Sequence, residues 1–145
     1  MVCVMKRKNT DQLLQELMDS NDLSRVLSDN SACFREGDLP HGLQVLFDRQ
    51  DMSKTALAKA SGISEVYLHQ VFSGRRTPSR DRLLCLCIGL GASTEETQSL
   101  LQQAHHAPLY ARDKRDAVLL FGLSHSLTLP EINDALFTAG AETLL

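Results

Sequence analysis

Apolar residues fall at helical spacing in one segment after another, and no segment alternates apolar and polar positions as a half-buried strand does. Between residues 10 and 28, Leu13, Leu14, Leu17 and Met18 share one face. Leu23, Val26 and Leu27 form a second cluster beyond a break at Ser20-Asn21-Asp22. The polar stretch 29–37 reads as a linker. Asp38 is suited to cap a helix with Pro40 in its first turn, and Leu39, Leu43, Leu46 and Phe47 give that helix a core-facing stripe. Ser53 caps a short helix with Ala56, Leu57 and Ala60 expected inward. Gly62 permits a turn, Ser64 caps the next helix with Leu68 and Val71 inward, and Gly74 stands at its C′ position.

Past Pro78, a Leu-rich helix opens at Ser79 or Arg80, runs to about Leu90 and stops at Gly91. Ser93-x-x-Glu96 and Thr128-x-x-Glu131 are capping boxes for two further helices. Their expected inward residues are Thr97, Leu100, Leu101 and Ala104, then Ile132, Ala135, Leu136 and Ala139 before a stop at Gly140. Between them lies a helix over 113–126. The fold class predicted is all-α, in three parts: an acidic helical arm with its linker (1–37), a helical domain (38–106) and an extra C-terminal hairpin (107–145) packed on it.

The last third of the chain repeats itself at an offset of 35. Arg80-Asp81 matches Arg115-Asp116, Leu84 matches Leu119, Glu96 matches Glu131, and Leu101, Ala104 and Leu109 match Leu136, Ala139 and Leu144. Such a period suits helical hairpins stacked as neighbours. Two copies are fewer than stacked arrays need, so the first is expected to lean on the preceding domain.

Composition narrows the class. A chain of 145 residues with 43% apolar and 23% charged residues can bury a real core, and with no Trp that core falls to Leu, Ala and Val. No apolar run approaches the ~18 residues of a membrane span. Lys6, Arg7 and Lys8 lead into no apolar stretch of a secretory leader, so a cytoplasmic location is expected. Cys3, Cys33, Cys85 and Cys87 show no metal-ligand spacing and read as small apolar filler. Nothing gathers a catalytic triad or a metal set, so neither enzymatic activity nor a cofactor is expected.

The net charge of −3 conceals a polarised distribution. Residues 53–82 carry six basic groups against two acidic ones, while residues 9–38 carry two against seven and residues 92–145 three against seven. A phosphate responds to the local field, so the one positive zone is where a nucleic acid would settle.

That zone coincides with a motif. Leu57, Ala58, Gly62, Ile63, Ser64, Tyr67, Leu68, Val71, Gly74, Arg76, Pro78 and Ser79 stand at the spacing of two short helices joined by a tight turn and followed by a Gly-Arg-Arg-x-Pro exit. In these residues the chain resembles the phage-repressor (Cro/cI-like, XRE-type) helix-turn-helix regulators over about residues 38–104. The resemblance implies a five-helix domain, double-stranded DNA as partner, and a homodimer. It also implies that helix 64–73 enters the major groove, with Glu65, Val66, His69 and Gln70 toward base edges. Lys54, Ser64, Arg75, Arg76 and Arg80 are the candidate phosphate ligands. Ala58 is expected to be small because the two helices cross there. Phe72 stands where the family commonly has Glu; it is expected either to lie under the C-terminal hairpin or to mark a protein contact. His105-His106 and the basic cluster 110–115 read as helix ends. The rival to a DNA-binding regulator is a non-catalytic adaptor that keeps the fold and binds protein, through Phe72 or the C-terminal hairpin.

Overall fold

The computed structural model describes residues 10–30 and 38–145, and the described residues form helices and turns without a strand. The chain divides into two compact units at Gly37/Asp38. The first holds α1 (Thr10–Asp19) and α2 (Leu23–Asp29), with Asp22 capping α2 through Arg25 N–H. Asn30 ties them together, its Nδ2 donating to Glu16 Oε2 at 3.0 Å and to the Val26 carbonyl at 2.9 Å. Within this unit Val26 and Asn30 are buried, while Leu14, Leu17, Met18, Leu23 and Leu27 are exposed. The linker expected at 29–37 falls mostly outside the described residues, as do Cys3 and Cys33.

The second unit holds α3 (Leu39–Arg49), α4 (Lys54–Ser61), α5 (Glu65–Phe72), α6 (Arg80–Leu90), α7 (Thr94–Gln103), α8 (Lys114–Ser124) and α9 (Leu129–Thr138). Every helix from α3 to α9 begins with the predicted type of cap: Asp38, Ser53, Ser64, Ser79, Ser93, Asp113 and Thr128 each accept a backbone N–H of the first turn. Both capping boxes close reciprocally. The centre is α6, where Leu83, Leu84, Cys85, Leu86, Cys87 and Leu90 are all buried. A helix apolar on every side must be surrounded, and α4, α7 and α9 pack against it. Burial pushes both the Cys85 and Cys87 thiols up to about 12, so they sit in the core as neutral, unreactive apolar groups.

The short helix α4 departs from expectation. Ala56 and Ala60 are exposed, whereas Leu57 and Ser61 are buried. The i, i+4 pair sets the inward line, and Ser61 accommodates its burial by donating Oγ–H to the Leu57 carbonyl at 2.7 Å. Against α6 the approach is tight: a Cβ at Gly89 would stand 3.2 Å from both Leu57 Cδ1 and Ser61 Cβ.

The 35-residue repeat is physical, and its geometry is not that of a stacked array. Arg80 pairs with Asp116 of the second copy, Nη2 to Oδ2 at 3.1 Å, and Arg115 pairs with Asp81 of the first, Nη1 to Oδ1 at 3.0 Å. Each arginine also closes its own copy: Arg80 donates to the carbonyls of Ala107 and Pro108, Arg115 to those of Glu142 and Thr143. The Gln98 amide clasps the backbone of Leu109 as the Asn133 amide clasps that of Leu144. Helix α6 packs on α9 as α7 packs on α8. Contacts made i to j and again j to i define an isologous, two-fold type of interface that closes on itself. The first copy also leans on the preceding helices, as expected, with α6 packed on α4 and α7 on α3. The copies differ where their volumes compensate: Cys87 lies by Thr97 in one, and Gly122 by Ile132 in the other, where any Cβ would stand 2.5 Å from Ile132 Cγ1.

Two predictions follow from this packing. Asp116 is buried and serves Arg80 and the Tyr110 N–H together. Asp116→Ala strands the Arg80 guanidinium and should cost roughly 2–4 kcal/mol in urea unfolding, the lower part of the range for a broken buried pair because Arg80 keeps some solvent; a loss under ~0.5 kcal/mol would show that the crossed pairs are ornamental. Glu96 takes two bonds from Arg49 and one from the Ser93 N–H, which hold its carboxyl down at about 2. A carboxyl lowered on folding stabilises above its ordinary pKa and loses that contribution as pH falls through the folded value. Glu96→Gln keeps the capping box but not the charge. Its melting temperature should lie below the parent's at pH 7 and converge on it toward pH 2; a gap independent of pH would refute the assignment.

Candidate nucleic-acid interface

Gly62, at φ +68°, takes the left-handed conformation that ends α4 and turns the chain into α5. Its N–H and that of Ile63 both bond to the Ala58 carbonyl. Ile63, Tyr67, Leu68 and Val71 then anchor α5 to the core. Ser64 Oγ accepts the Tyr67 N–H, leaving the first-turn N–H groups of Glu65 and Val66 outside the helix's own bonding. Val66 and His69 are exposed and Gln70 is half-buried. Val66 is 69% exposed, so packing does not account for it. The Gln70 side chain has no protein partner among the described residues. Glu65 differs from these three: Thr55 Oγ1 donates to its Oε1 at 2.6 Å, bridging the first turns of α4 and α5.

The basic candidates also separate. Arg75 and Arg76 are exposed, and their backbone N–H groups both bond to the Gln70 carbonyl, fixing the exit of α5. The Arg76 guanidinium lies 5.3 Å from the centre of the Tyr67 ring. Lys54 is half-buried with its Nζ 4.2 Å from the Phe72 ring centre and 5.0 Å from that of Phe47, while the two rings meet edge to face. This resolves Phe72: it is covered by α3 and by Lys54, not by the C-terminal hairpin, and is half-buried. Arg80 is withdrawn from the expected phosphate set, because its guanidinium is committed to Asp116 and two carbonyls. Asp81 is likewise engaged by Arg115, which therefore does not belong to a solvated basic cluster. The cations left around α4–α5 are Lys54, Lys59, Arg75, Arg76 and Arg82, and of the two acids in residues 53–82 Glu65 is the one outside an ion pair among the described residues.

Sequence reasoning missed two contributors. Arg82, on α6, stacks 4.5 Å from the Tyr67 ring centre; a basic residue in the first turn of a helix gave no sign of which ring it would meet. His106 Nε2 donates to the Pro78 carbonyl at 2.9 Å and so pins the exit loop from 28 residues away. Among the described residues no three His, Cys, Asp or Glu side chains are placed to hold a metal ion, and no helix is long and apolar enough to cross a membrane.

Ser64→Ala should cost about 1 kcal/mol of stability, the usual worth of an N-cap, measured by thermal unfolding; no loss would mean that the turn holds α5 without it.

No curated protein and no solved structure matches the chain. Residues 42–100, from the first turn of α3 into α7, match a family described as a helix-turn-helix domain. Match and geometry agree on the same segment, so the second unit contains a helix-turn-helix domain with α4 and α5 as its two helices.

Proposed function

We propose that this protein is a sequence-specific DNA-binding transcriptional regulator of the phage-repressor (XRE) kind, working in the cytoplasm, and that α5 is its reading helix. One observation carries the reading: the side chains of Val66, His69 and Gln70 lie on one face of α5 with no hydrogen-bond partner among the described residues, in the stretch that also carries Lys54, Arg75 and Arg76. Gln70 offers both a donor and an acceptor, the pattern that adenine presents in the major groove, and Val66 suits a thymine methyl. Glu65 belongs to the reading face only through the carboxylate oxygen that Thr55 leaves free. Lys54, Arg75, Arg76 and the first-turn N–H groups at Ser64 position the backbone phosphates. A homodimer would read two half-sites roughly 34–36 Å apart.

Selection from a random duplex pool tests this. The parent protein should enrich one motif, with two-fold symmetry if it binds as a dimer. Gln70→Ala should weaken binding by roughly 1–3 kcal/mol and relax preference at one position. A folded protein that enriches nothing would overturn the proposal. It would favour the second reading, an adaptor working through protein contacts, for which the exposed Leu14, Leu17, Met18, Leu23 and Leu27 of the arm are the specific observation.

A further inference from the structure

Tyr67 is only 9% exposed, and its hydroxyl, which still reaches solvent, makes no hydrogen bond to any described residue. Two guanidiniums attend its ring, Arg82 at 4.5 Å and Arg76 at 5.3 Å from the centre. Neither has an acidic partner among the described residues: Asp81 is engaged by Arg115, and Glu65, which accepts from the Thr55 hydroxyl through one oxygen, makes no ion pair with either. Beside them lies a cavity of about 270 Å³, lined by Gly62, Ile63, Ser64, Tyr67, Arg82 and Leu145. Its wall thus includes the turn and cap at the N-terminus of α5, where backbone N–H groups remain free and the helix end is electropositive.

The geometry points to a phosphoryl-binding clamp in which Arg82, stacked on the Tyr67 ring and lining the cavity, holds one phosphate against the start of α5, while Arg76 meets the same ring outside the lining. A guanidinium with no acidic partner among the described residues gains most from an anion with several acceptor oxygens. The phenol supplies a further donor from a fixed position. The stack fixes both arginines on the body of the protein, with Arg82 on α6 and Arg76 in the exit loop, so the phosphate would lock α5 to α6 rather than merely decorate the loop. This inference rests on the proposed DNA-binding function for the source of the phosphate, which we assign to the duplex backbone; a free phosphorylated small molecule shares the chemistry and is separated from it below. The clamp adds Arg82 and Tyr67 to a site otherwise built from α4, α5 and the loop.

The test compares the parent, Arg82→Gln and Tyr67→Phe in salt titrations of duplex binding, using the selected pool, with inorganic phosphate titrated into each protein by NMR in parallel. Tyr67→Phe keeps the ring and removes only the hydroxyl, so it remains informative if Arg82→Gln folds poorly. Arg82→Gln should weaken duplex binding about tenfold, as for the loss of one charge-assisted bond. It should flatten the salt slope by about one unit and leave the enriched motif unchanged; Tyr67→Phe should move affinity the same way by less. Parental affinity and slope in both variants would overturn the clamp and leave the DNA reading standing. If the parent binds no duplex but phosphate shifts residues 62–67 and 82 in it and not in Arg82→Gln, the clamp stands with a free phosphoryl ligand and the DNA reading falls. No duplex binding and no phosphate response would overturn both.

Discussion

Two arginine–aspartate pairs that cross between α6 and α8 set the frame for the second unit. Each arginine reaches the other copy's carboxylate and, with its remaining N–H groups, the loop carbonyls of its own copy. Arginine suits this task because its planar fork can satisfy a carboxylate and two carbonyls at once, which a lysine cannot. The pairs fix where α6 begins. The start of α6 in turn ends the loop that leaves α5, and α6 is the surface on which α4 rests. The placement of the outward face of α5 therefore depends on residues 35 positions downstream.

The core obeys the same arrangement. Buried Leu84 and Leu119, Leu101 and Leu136, and Leu109 and Leu144 occupy equivalent places in the two copies. Where the copies diverge, the contacting volumes change in opposite senses, as at Cys87 with Thr97 and Gly122 with Ile132. Close packing allows that trade because it constrains summed volume at a contact more tightly than the identity of either partner.

Local signals were legible in the sequence: caps, glycine stops and the apolar stripes on α3, α7 and α9, because each depends on residues within one or two turns of each other. The helix-turn-helix was legible for the same reason. What the sequence did not disclose were long-range choices. Leu57 faces inward as expected, but Ser61 joins it in place of Ala56 and Ala60 where Gly89 on another helix lets α4 approach, and Arg80 looked like a phosphate ligand until Asp116, 36 residues away, claimed it. The repeat was visible, but a repeated Arg-Asp dipeptide reads alike whether copies stack head to tail or pair reciprocally. Only the geometry distinguishes these. Lys54, expected to reach outward, rests on Phe47 and Phe72, an instance of an aromatic pair holding an ammonium in place without neutralising it.

Reciprocal bonding has one further consequence. A contact that is the same in both directions carries no record of which polypeptide supplies each half. The hairpin 115–144 meets its counterpart through bonds that an identical hairpin on a second molecule would reproduce atom for atom, so the segment 110–113 between the copies decides the outcome through effective concentration. Its length and stiffness, more than the chemistry of the interface, keep the pairing within one chain. Shortening it would favour exchange of hairpins between molecules without altering a single residue that makes the bonds.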